Sequence, residues 1–221
     1  MLKLGAITVG QSPRTDLIPE MLPVLEGSVE LIQAGGLDGL TREEIEAFRP
    51  SGNDHILVSR LRDGTSVTFG ESHILPRLQN CIHDLEQQGV SLILFLCTGE
   101  FPETFQSHVP LIFPSRILTS VVPAIFPRCR LAVITPSPDQ IPQVTARWAP
   151  LSARVTVAAA SPYDGPAAVS AALKTIPDDA DLVLLDCIGY TMEMKRMASM
   201  QTRKPVILPR TLIARLLREL A

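Results

Sequence analysis

The stretch Leu182-Val183-Leu184-Leu185-Asp186-Cys187-Ile188-Gly189 decides the fold, because it has a counterpart earlier in the chain, Leu92-Ile93-Leu94-Phe95-Leu96-Cys97-Thr98-Gly99. In both copies an apolar run is followed by Cys-x-Gly. Apolar runs of this length that do not alternate with polar residues are typical of strands covered on both faces, as in a parallel sheet. Each copy therefore predicts a buried parallel strand with a cysteine and a glycine near its carboxyl end.

Another pair of matching segments precedes the first pair in the same order. Lys3–Thr8 and Arg130–Thr135 are both largely apolar, and each is followed by Ser-Pro, at Ser12-Pro13 and Ser137-Pro138. Matched segments in one order indicate an ancient duplication. The sequence therefore predicts two similar α/β halves that face each other across a cleft.

Other apolar runs and helical patterns alternate along the rest of the chain, which is typical of an α/β fold. The other apolar runs are Val29–Gln33, Val155–Ala159 and Val206–Leu208, and helical spacing occurs in Ile74–Leu85, Ala167–Ile176, Met192–Met200 and Leu212–Leu220. Thr41 and Glu44 have the spacing of a capping box and predict a helix start. His55–Phe69 departs from the alternation: Asp63-Gly64 separates two extended runs and predicts an inserted antiparallel hairpin.

The composition excludes several classes of protein. The chain has 221 residues, a formal net charge of −3 and 46% hydrophobic residues. This balance lacks the basic character of a nucleic-acid-binding surface. The longest apolar stretch, Ile117–Phe126, is interrupted by polar residues and falls short of the ~18 apolar residues of a membrane span. The cysteines form no CxxC pair, so we expect free thiols in a cytoplasmic protein.

No familiar cofactor or metal motif occurs in the sequence. A dinucleotide-binding GxGxxG, a P-loop and a GxSxG elbow are all missing, and the histidines lack a metal-binding spacing. The segment Gly35–Gly39 is rich in glycine but has no lysine, and it predicts a sharp strand-to-helix turn. We therefore expect no cofactor and no metal.

The loops after the repeated strands hold the candidate site residues, because ligands of open parallel sheets bind beyond the carboxyl ends of the strands. Cys97 and Cys187 are the catalytic candidates. A thiol near a helix start ionises more readily, and two thiols on opposite walls could exchange protons with opposite faces of one carbon. The candidates for substrate binding are Ser12, Arg14, Thr98, Gly99, Ser137, Gly189 and Tyr190.

Each candidate also has a purely structural interpretation. A lone cysteine at a strand end is usually part of the core. Ser12 could cap a helix, Arg14 could form an ion pair at the surface, and Tyr190 could serve in packing. Cys81 and Cys129, which have no matched partner in the repeat, are expected to be structural.

Several segments resemble the AroM family, and the resemblance runs along essentially the whole chain. The segments are Ile7–Asp16, Gly35–Glu44, Phe113–Leu118 and Leu185–Tyr190. AroM proteins are in turn similar to the aspartate/glutamate racemase superfamily. The resemblance implies an α/β fold with two Rossmann-like parallel-sheet halves, related by a pseudo-two-fold and separated by a cleft.

The expected halves follow from the repeat and from this resemblance together. The first half is expected at 1–113, with the inserted hairpin at about 55–69, and the second at 114–208. The resemblance also implies that the chain returns at its end, so that the C-terminal helix, 209–221, packs on the first half.

The resemblance further implies cofactor-independent cysteine chemistry, which falls on Cys97 and Cys187. Cys97 is followed by Thr-Gly-Glu and Cys187 by Ile-Gly-Tyr, whereas amino-acid racemases have Asn-Thr and Thr-His there, which argues against aspartate or glutamate as substrate. The expected function is a racemase, isomerase or decarboxylase that acts on a small carboxylate by cysteine acid/base or nucleophilic chemistry. The alternative is a non-catalytic small-carboxylate-binding protein associated with aromatic amino-acid metabolism. We expect no nucleic-acid or membrane partner, and allow for a homodimer.

Overall fold

The chain folds into two compact units, each built around its own parallel sheet. A computed structural model describes residues 2–25, 27, 29–52 and 54–221. The first unit comprises Met1–Pro114 with Ala214–Ala221, and the second comprises Ser115–Ile213. The α/β fold class with parallel-sheet cores, expected from the sequence, is confirmed.

The first unit contains a four-stranded sheet and a separate hairpin. Its elements are β1 (Leu2–Thr8), α1 (Ile18–Leu25), β2 (Val29–Gly35), α2 (Arg42–Glu46), β3 (Ile56–Arg60), β4 (Ser66–Gly70), α3 (Leu75–Gln87), β5 (Leu92–Phe95) and β6 (Leu111–Ile112). The sheet has the order β2-β1-β5-β6, and all of its pairs are parallel. β1 and β5, which contain the repeated segments, therefore lie side by side in the middle of the sheet.

The second unit repeats this arrangement without the hairpin. Its elements are α4 (Pro114–Ile125), β7 (Arg130–Thr135), α5 (Ile141–Trp148), β8 (Arg154–Ala159), α6 (Pro166–Leu173), β9 (Leu182–Leu185), α7 (Met192–Thr202) and β10 (Val206–Ile207). The last helix, α8 (Pro209–Glu219), begins in the second unit, and its residues from Ala214 onward belong to the first. The sheet order is β10-β9-β7-β8, again with parallel pairs. Read from its other edge, this order matches that of the first sheet, with β7 in the place of β1 and β9 in the place of β5.

The unbroken apolar runs are explained by burial of the central strands on both faces. All residues of Leu92–Phe95 and of Leu182–Leu185 are buried. In the first unit Ile93 and Phe95 belong to a core that includes Leu57 and Phe69 of the hairpin. At roughly 1.5–3 kcal/mol for each large apolar side chain, such strands contribute more to stability than any surface interaction of the sheet.

The inserted hairpin has the antiparallel pairing that the sequence predicts. The N–H of Leu61 donates to the carbonyl of Thr65 at 2.8 Å, and the N–H of Gly64 donates to the carbonyl of Leu61 at 3.0 Å. Gly64 has a φ of +90°. Residues with a side chain disfavour this conformation, and three-residue hairpin loops require it at one position. The capping box of α2 is also present: Thr41 Oγ1 accepts from the N–H of Glu44, and the Glu44 carboxylate accepts from the N–H of Thr41.

α4 is a helix that the sequence did not predict, because polar residues interrupt its apolar stretch. In the structure this helix buries Leu118 and Val122 on one side. Its polar residues bond to the preceding turn, with Thr119 Oγ1 donating to the Ser115 carbonyl at 3.0 Å and Ser120 Oγ to the Arg116 carbonyl at 2.8 Å. Hydroxyls bonded in this way do not interrupt a helix. Within the described residues, no helix is both long and apolar enough to cross a membrane.

Candidate functional site

Cys97 lies in the loop at the carboxyl end of β5. Its side chain is half-buried, and the backbone N–H of Gly99 donates to its Sγ at 3.3 Å. A Cβ on residue 99 would lie 2.9 Å from Leu57 Cδ2 and 3.3 Å from Sγ, so only glycine allows this approach without displacing a neighbour. Thr98, between the two, is buried.

Cys187 has the same environment at the carboxyl end of β9. The N–H of Gly189 donates to its Sγ, also at 3.3 Å. A Cβ on residue 189 would lie 2.9 Å from Tyr163 Oη and 3.0 Å from Pro162 Cγ, so a glycine is needed here as well. A hydrogen bond of this kind favours the charged form of the acceptor, which for a cysteine is the thiolate.

The hydrogen-bond donor beside each thiol is a loop N–H and not the helix start that the sequence suggested. We expected a helix start near each cysteine, but residues 98–113 contain no helix, and α7 begins only at Met192. The prediction of a helix dipole at Cys97 is therefore wrong. In both loops the nearby donor is the N–H of the glycine two positions after the cysteine.

Arg210 holds the loop after Cys187 from the core of the second unit. Its side chain is 1% exposed, and it donates Nε to the carbonyl of Ile188 at 3.0 Å and Nη2 to the carbonyl of Gly189 at 2.9 Å. With both carbonyls directed at the guanidinium, the peptide groups of the loop are held in orientation. Nothing in the sequence distinguished Arg210 from an ordinary helix arginine.

Tyr190 lies in the core of the second unit with no exposed surface. Its Oη donates to the carbonyl of Ala160 at 2.7 Å. Burial, followed by the charges of Cys187 and Asp186, raises the pKa of Tyr190 well above its ordinary value, so the phenol stays protonated and keeps donating. This placement matches the packing interpretation of Tyr190.

Asp186, next to Cys187, is engaged inside the second unit. It forms an ion pair with Arg147 and accepts from Trp148 Nε1 at 3.1 Å. A buried carboxylate with a paired cation and a further donor is held in place. Asp186 thus fixes the end of β9 against α5.

Ser12 follows β1 and is bound by a carboxylate that the sequence analysis did not single out. Its N–H donates to Asp38 Oδ1 at 2.9 Å, and its Oγ donates to Asp38 Oδ2 at 2.5 Å. Asp38 lies in the glycine-rich turn after β2, where a Cβ on Gly35 would come within 2.7 Å of the Gly10 carbonyl and of the Ser12 nitrogen. The glycines therefore let two loops meet closely, and Ser12 does not cap a helix, since α1 begins only at Ile18.

Arg14 is buried and paired, at 3% exposure. Nε and Nη2 donate to the two carboxylate oxygens of Asp16, each at 2.8 Å, and Nη1 donates to Thr8 Oγ1 at 3.2 Å. Burial opposes ionisation of Asp16, but the hydrogen bonds and charge of Arg14 outweigh it, and the pKa of Asp16 lies below its ordinary value. The pair therefore stays ionised and internal to the loop, rather than at the surface.

Ser137, the counterpart of Ser12 after β7, has different partners. Its Oγ accepts from the N–H of Asp139 at 3.3 Å and caps the short 3-10 turn that follows. It is half-buried. The matched Ser-Pro segments thus occupy equivalent strand ends but do not repeat the same contacts.

The remaining cysteines differ from the matched pair. Burial, followed by the charges of Asp38 and Asp84, raises the pKa of the Cys81 thiol to about 11. Burial, followed by the charge of Asp181, also raises the pKa of Cys129. Both thiols are therefore held in the protonated form. None of the four cysteines forms a disulfide, and no cluster of metal-ligating side chains occurs among the described residues.

Solved structures of other proteins share this fold. Allantoin racemase from Klebsiella pneumoniae aligns with a TM-score of 0.62 at 12% identity, over 100% of this chain and 87% of that chain. The maleate isomerase Iso from Pseudomonas putida S16 gives 0.65 at 16%, over 99% and 91%. Arylmalonate decarboxylase gives 0.60 at 15%, over 99% and 93%. The fold is that of the Asp/Glu racemase superfamily.

Within this class the family is defined by sequence. The family model described as AroM protein matches residues 4–221, and the chain belongs to the AroM family. No curated protein matches the sequence.

Proposed function

We propose that this protein is an enzyme that uses Cys97 and Cys187, without a cofactor, to racemise, isomerise or decarboxylate a small carboxylate. One observation carries the proposal. The two cysteines follow equivalent strands of two equally ordered sheets, and in each loop a glycine N–H donates to Sγ at 3.3 Å. A protein that only binds a ligand has no need for two thiols in matched settings.

The proposed reaction begins at the carbon next to the carboxylate. One thiolate takes the proton, and the thiol of the other cysteine returns a proton on the opposite face, which inverts or isomerises the substrate. In a decarboxylation the C–C bond electrons stay on the carbon as CO2 leaves, and one thiol then protonates that carbon. Both routes are general acid–base catalysis, and they require that both loops reach one ligand.

The candidate binding residues are proposed to have two kinds of role. Backbone groups of Gly99 and Gly189 and the side chains of Thr98 and Ser137 are proposed to contact the substrate. Ser12 is proposed to contact it from the loop that Asp38 holds. Because their side chains are buried in other contacts, Arg14 and Tyr190 are proposed to position the loops around the substrate.

The names of the structural relatives support the substrate class. Maleate isomerase and arylmalonate decarboxylase are named for carboxylate substrates, and allantoin racemase for inversion at a carbon. A homodimer and a cytoplasmic location remain predictions from the sequence.

The proposal is tested by incubating the protein in D2O with a panel of amino, hydroxy and malonic acids. We expect wild type to place deuterium on the carbon next to the carboxylate, or to release CO2, with at least one acid. Cys97→Ser and Cys187→Ser should each lower that rate about 100-fold or more, whereas Cys81→Ser and Cys129→Ser should leave it unchanged. Equal background in wild type and both site variants would refute it, and binding without turnover would favour the non-catalytic alternative.

A further inference from the structure

A pocket of about 550 Å³ lies in the first unit between the hairpin turn and the loop after β1. One wall is formed by residues 60–64 of the turn, and the other by Gln11 and residues 13–16. The lining contains three arginines and two aspartates. None of its lining residues belongs to the Cys97 loop, and one of them is Arg14.

The acids of the pocket are already satisfied by internal partners. Both oxygens of Asp16 accept from Arg14. Asp63 Oδ1 accepts from the N–H and the hydroxyl of Thr65, at 2.8 and 2.7 Å. These bonds, Thr65's side-chain bond first, hold the pKa of Asp63 below its ordinary value. Neither carboxylate therefore needs a cation from a ligand.

The donors of the pocket are not all used. Arg62 donates Nε to the Ser12 carbonyl and Nη2 to Asp38 Oδ1 at 2.9 Å, and among the described residues its Nη1 has no partner. Gln11 Oε1 accepts from the N–H of Arg62 at 3.0 Å, and the amide NH2 of Gln11 has no partner within the described chain. The side chain of Arg62 is 56% exposed, so a ligand can reach it.

We infer that this pocket, which we name the hairpin pocket, binds a small anion through Arg62 Nη1 and the NH2 group of Gln11. The ligand chemistry is a carboxylate or a phosphate, because both accept hydrogen bonds from a guanidinium. The second unit has no hairpin and so no equivalent site. The inference goes beyond the proposed chemistry, since it holds whether or not the cysteines turn over a substrate.

The test uses inorganic phosphate and malonate as probes in separate titrations. Binding is followed by the backbone amide NMR signals of Arg62 and Gly64 in the pocket, and of Gly99 and Gly189 in the cysteine loops. The key variant is Gln11→Glu, which keeps the oxygen that accepts from Arg62 but replaces the donor with a negative charge. Its matched control is Gln87→Glu, an exposed position at the end of α3 with the same change of charge.

We expect at least one probe to shift the Arg62 and Gly64 signals of wild type. Comparing the affinities for phosphate and malonate shows which anion is preferred. Gln11→Glu should weaken that binding about tenfold or more, while Gln87→Glu should not. Unshifted Arg62 and Gly64 signals, or equal binding by Gln11→Glu, would overturn the inference. Shifts confined to the Gly99 and Gly189 signals would also overturn the inference, but they would leave the cysteine proposal standing. Conversely, a D2O incubation without deuterium exchange or CO2 release would refute the cysteine proposal and leave the anion site untouched.

Discussion

Arg210 donates Nη2 to the carbonyl of Gly189 at 2.9 Å, while the N–H of the same glycine donates to Cys187 Sγ at 3.3 Å. Gly189 is thus bonded to the buried guanidinium through its carbonyl and to the thiol through its N–H. Arg210 is connected to Cys187 through this loop, so it is a positioning residue. Its loss should alter the thiol as well as the stability of the unit.

Arg210→Ala should lower the free energy of unfolding by about 3 kcal/mol, because two buried carbonyls lose their donor at about 1–3 kcal/mol each. Urea denaturation measures this. Arg215→Ala, at an exposed position of the same helix, is the control and should stay within about 0.5 kcal/mol of wild type.

A second readout separates positioning from simple destabilisation. In Arg210→Ala the pH profile for alkylation of Cys187 should move, because the glycine N–H is no longer held on Sγ, while the profile of Cys97 stays in place. An unchanged Cys187 profile would mean that Arg210 stabilises the unit without orienting the loop.

Gly10 lies directly against the hairpin, and we expect that no larger residue is tolerated at this position. A Cβ there would lie 2.3 Å from Ser59 Oγ and 2.7 Å from the Arg60 carbonyl. Gly10→Ala should therefore cost about 1–3 kcal/mol of stability, as overpacking does. Adding Ser59→Gly removes the side-chain clash but leaves the one with the backbone, so the double variant should recover only part of the loss; full recovery would show that the hairpin backbone can move.

Glu71 should make stability fall as the pH rises from about 4.5 to about 7. Burial, and then the charges of Asp54 and Glu100, raise the pKa of Glu71 to about 7, and among the described residues its buried Oε1 has no hydrogen-bond partner. A carboxyl whose pKa is raised on folding is favourable while protonated, and that contribution is lost between the unfolded and folded pKa values.

The corresponding measurement compares melting temperatures of wild type and Glu71→Gln from pH 4.5 to 8. The two should be closest at the acid end, the variant should become increasingly the more stable one between pH about 4.5 and about 7, and the difference should then stay constant. Glu43→Gln, at an exposed position of α2, serves as control. A constant difference between Glu71→Gln and wild type across this range would contradict the assignment.

The sheets could be predicted from sequence because their signal is local. Leu92–Phe95 and Leu182–Leu185 are apolar without interruption, and burial on both faces requires that pattern. The hairpin was also predictable, since Asp63-Gly64 supplies the turn. α4 was not, because its hydroxyl residues look unfavourable until their bonds to the preceding turn are known.

The candidate site was predictable only in part. The repeat identified the Cys97 and Cys187 loops, but it could not predict hydrogen bonds between segments that are distant in sequence. Asp38 reaches Ser12 across 26 positions and Arg210 reaches Ile188 across 22. Such pairings follow from the fold and have no periodicity or spacing that a single sequence could display.

The most direct test of the central claim is a mass-spectrometric pH profile of alkylation for all four cysteines of the native protein. The chain supplies matched controls, because Cys97 and Cys81 are both half-buried in the first unit, and Cys187 and Cys129 are both buried in the second. We predict that Cys97 reacts at lower pH than Cys81, and Cys187 at lower pH than Cys129, as glycine N–H donors to Sγ require. Coincident profiles within each pair would contradict the claim that these loops activate their thiols.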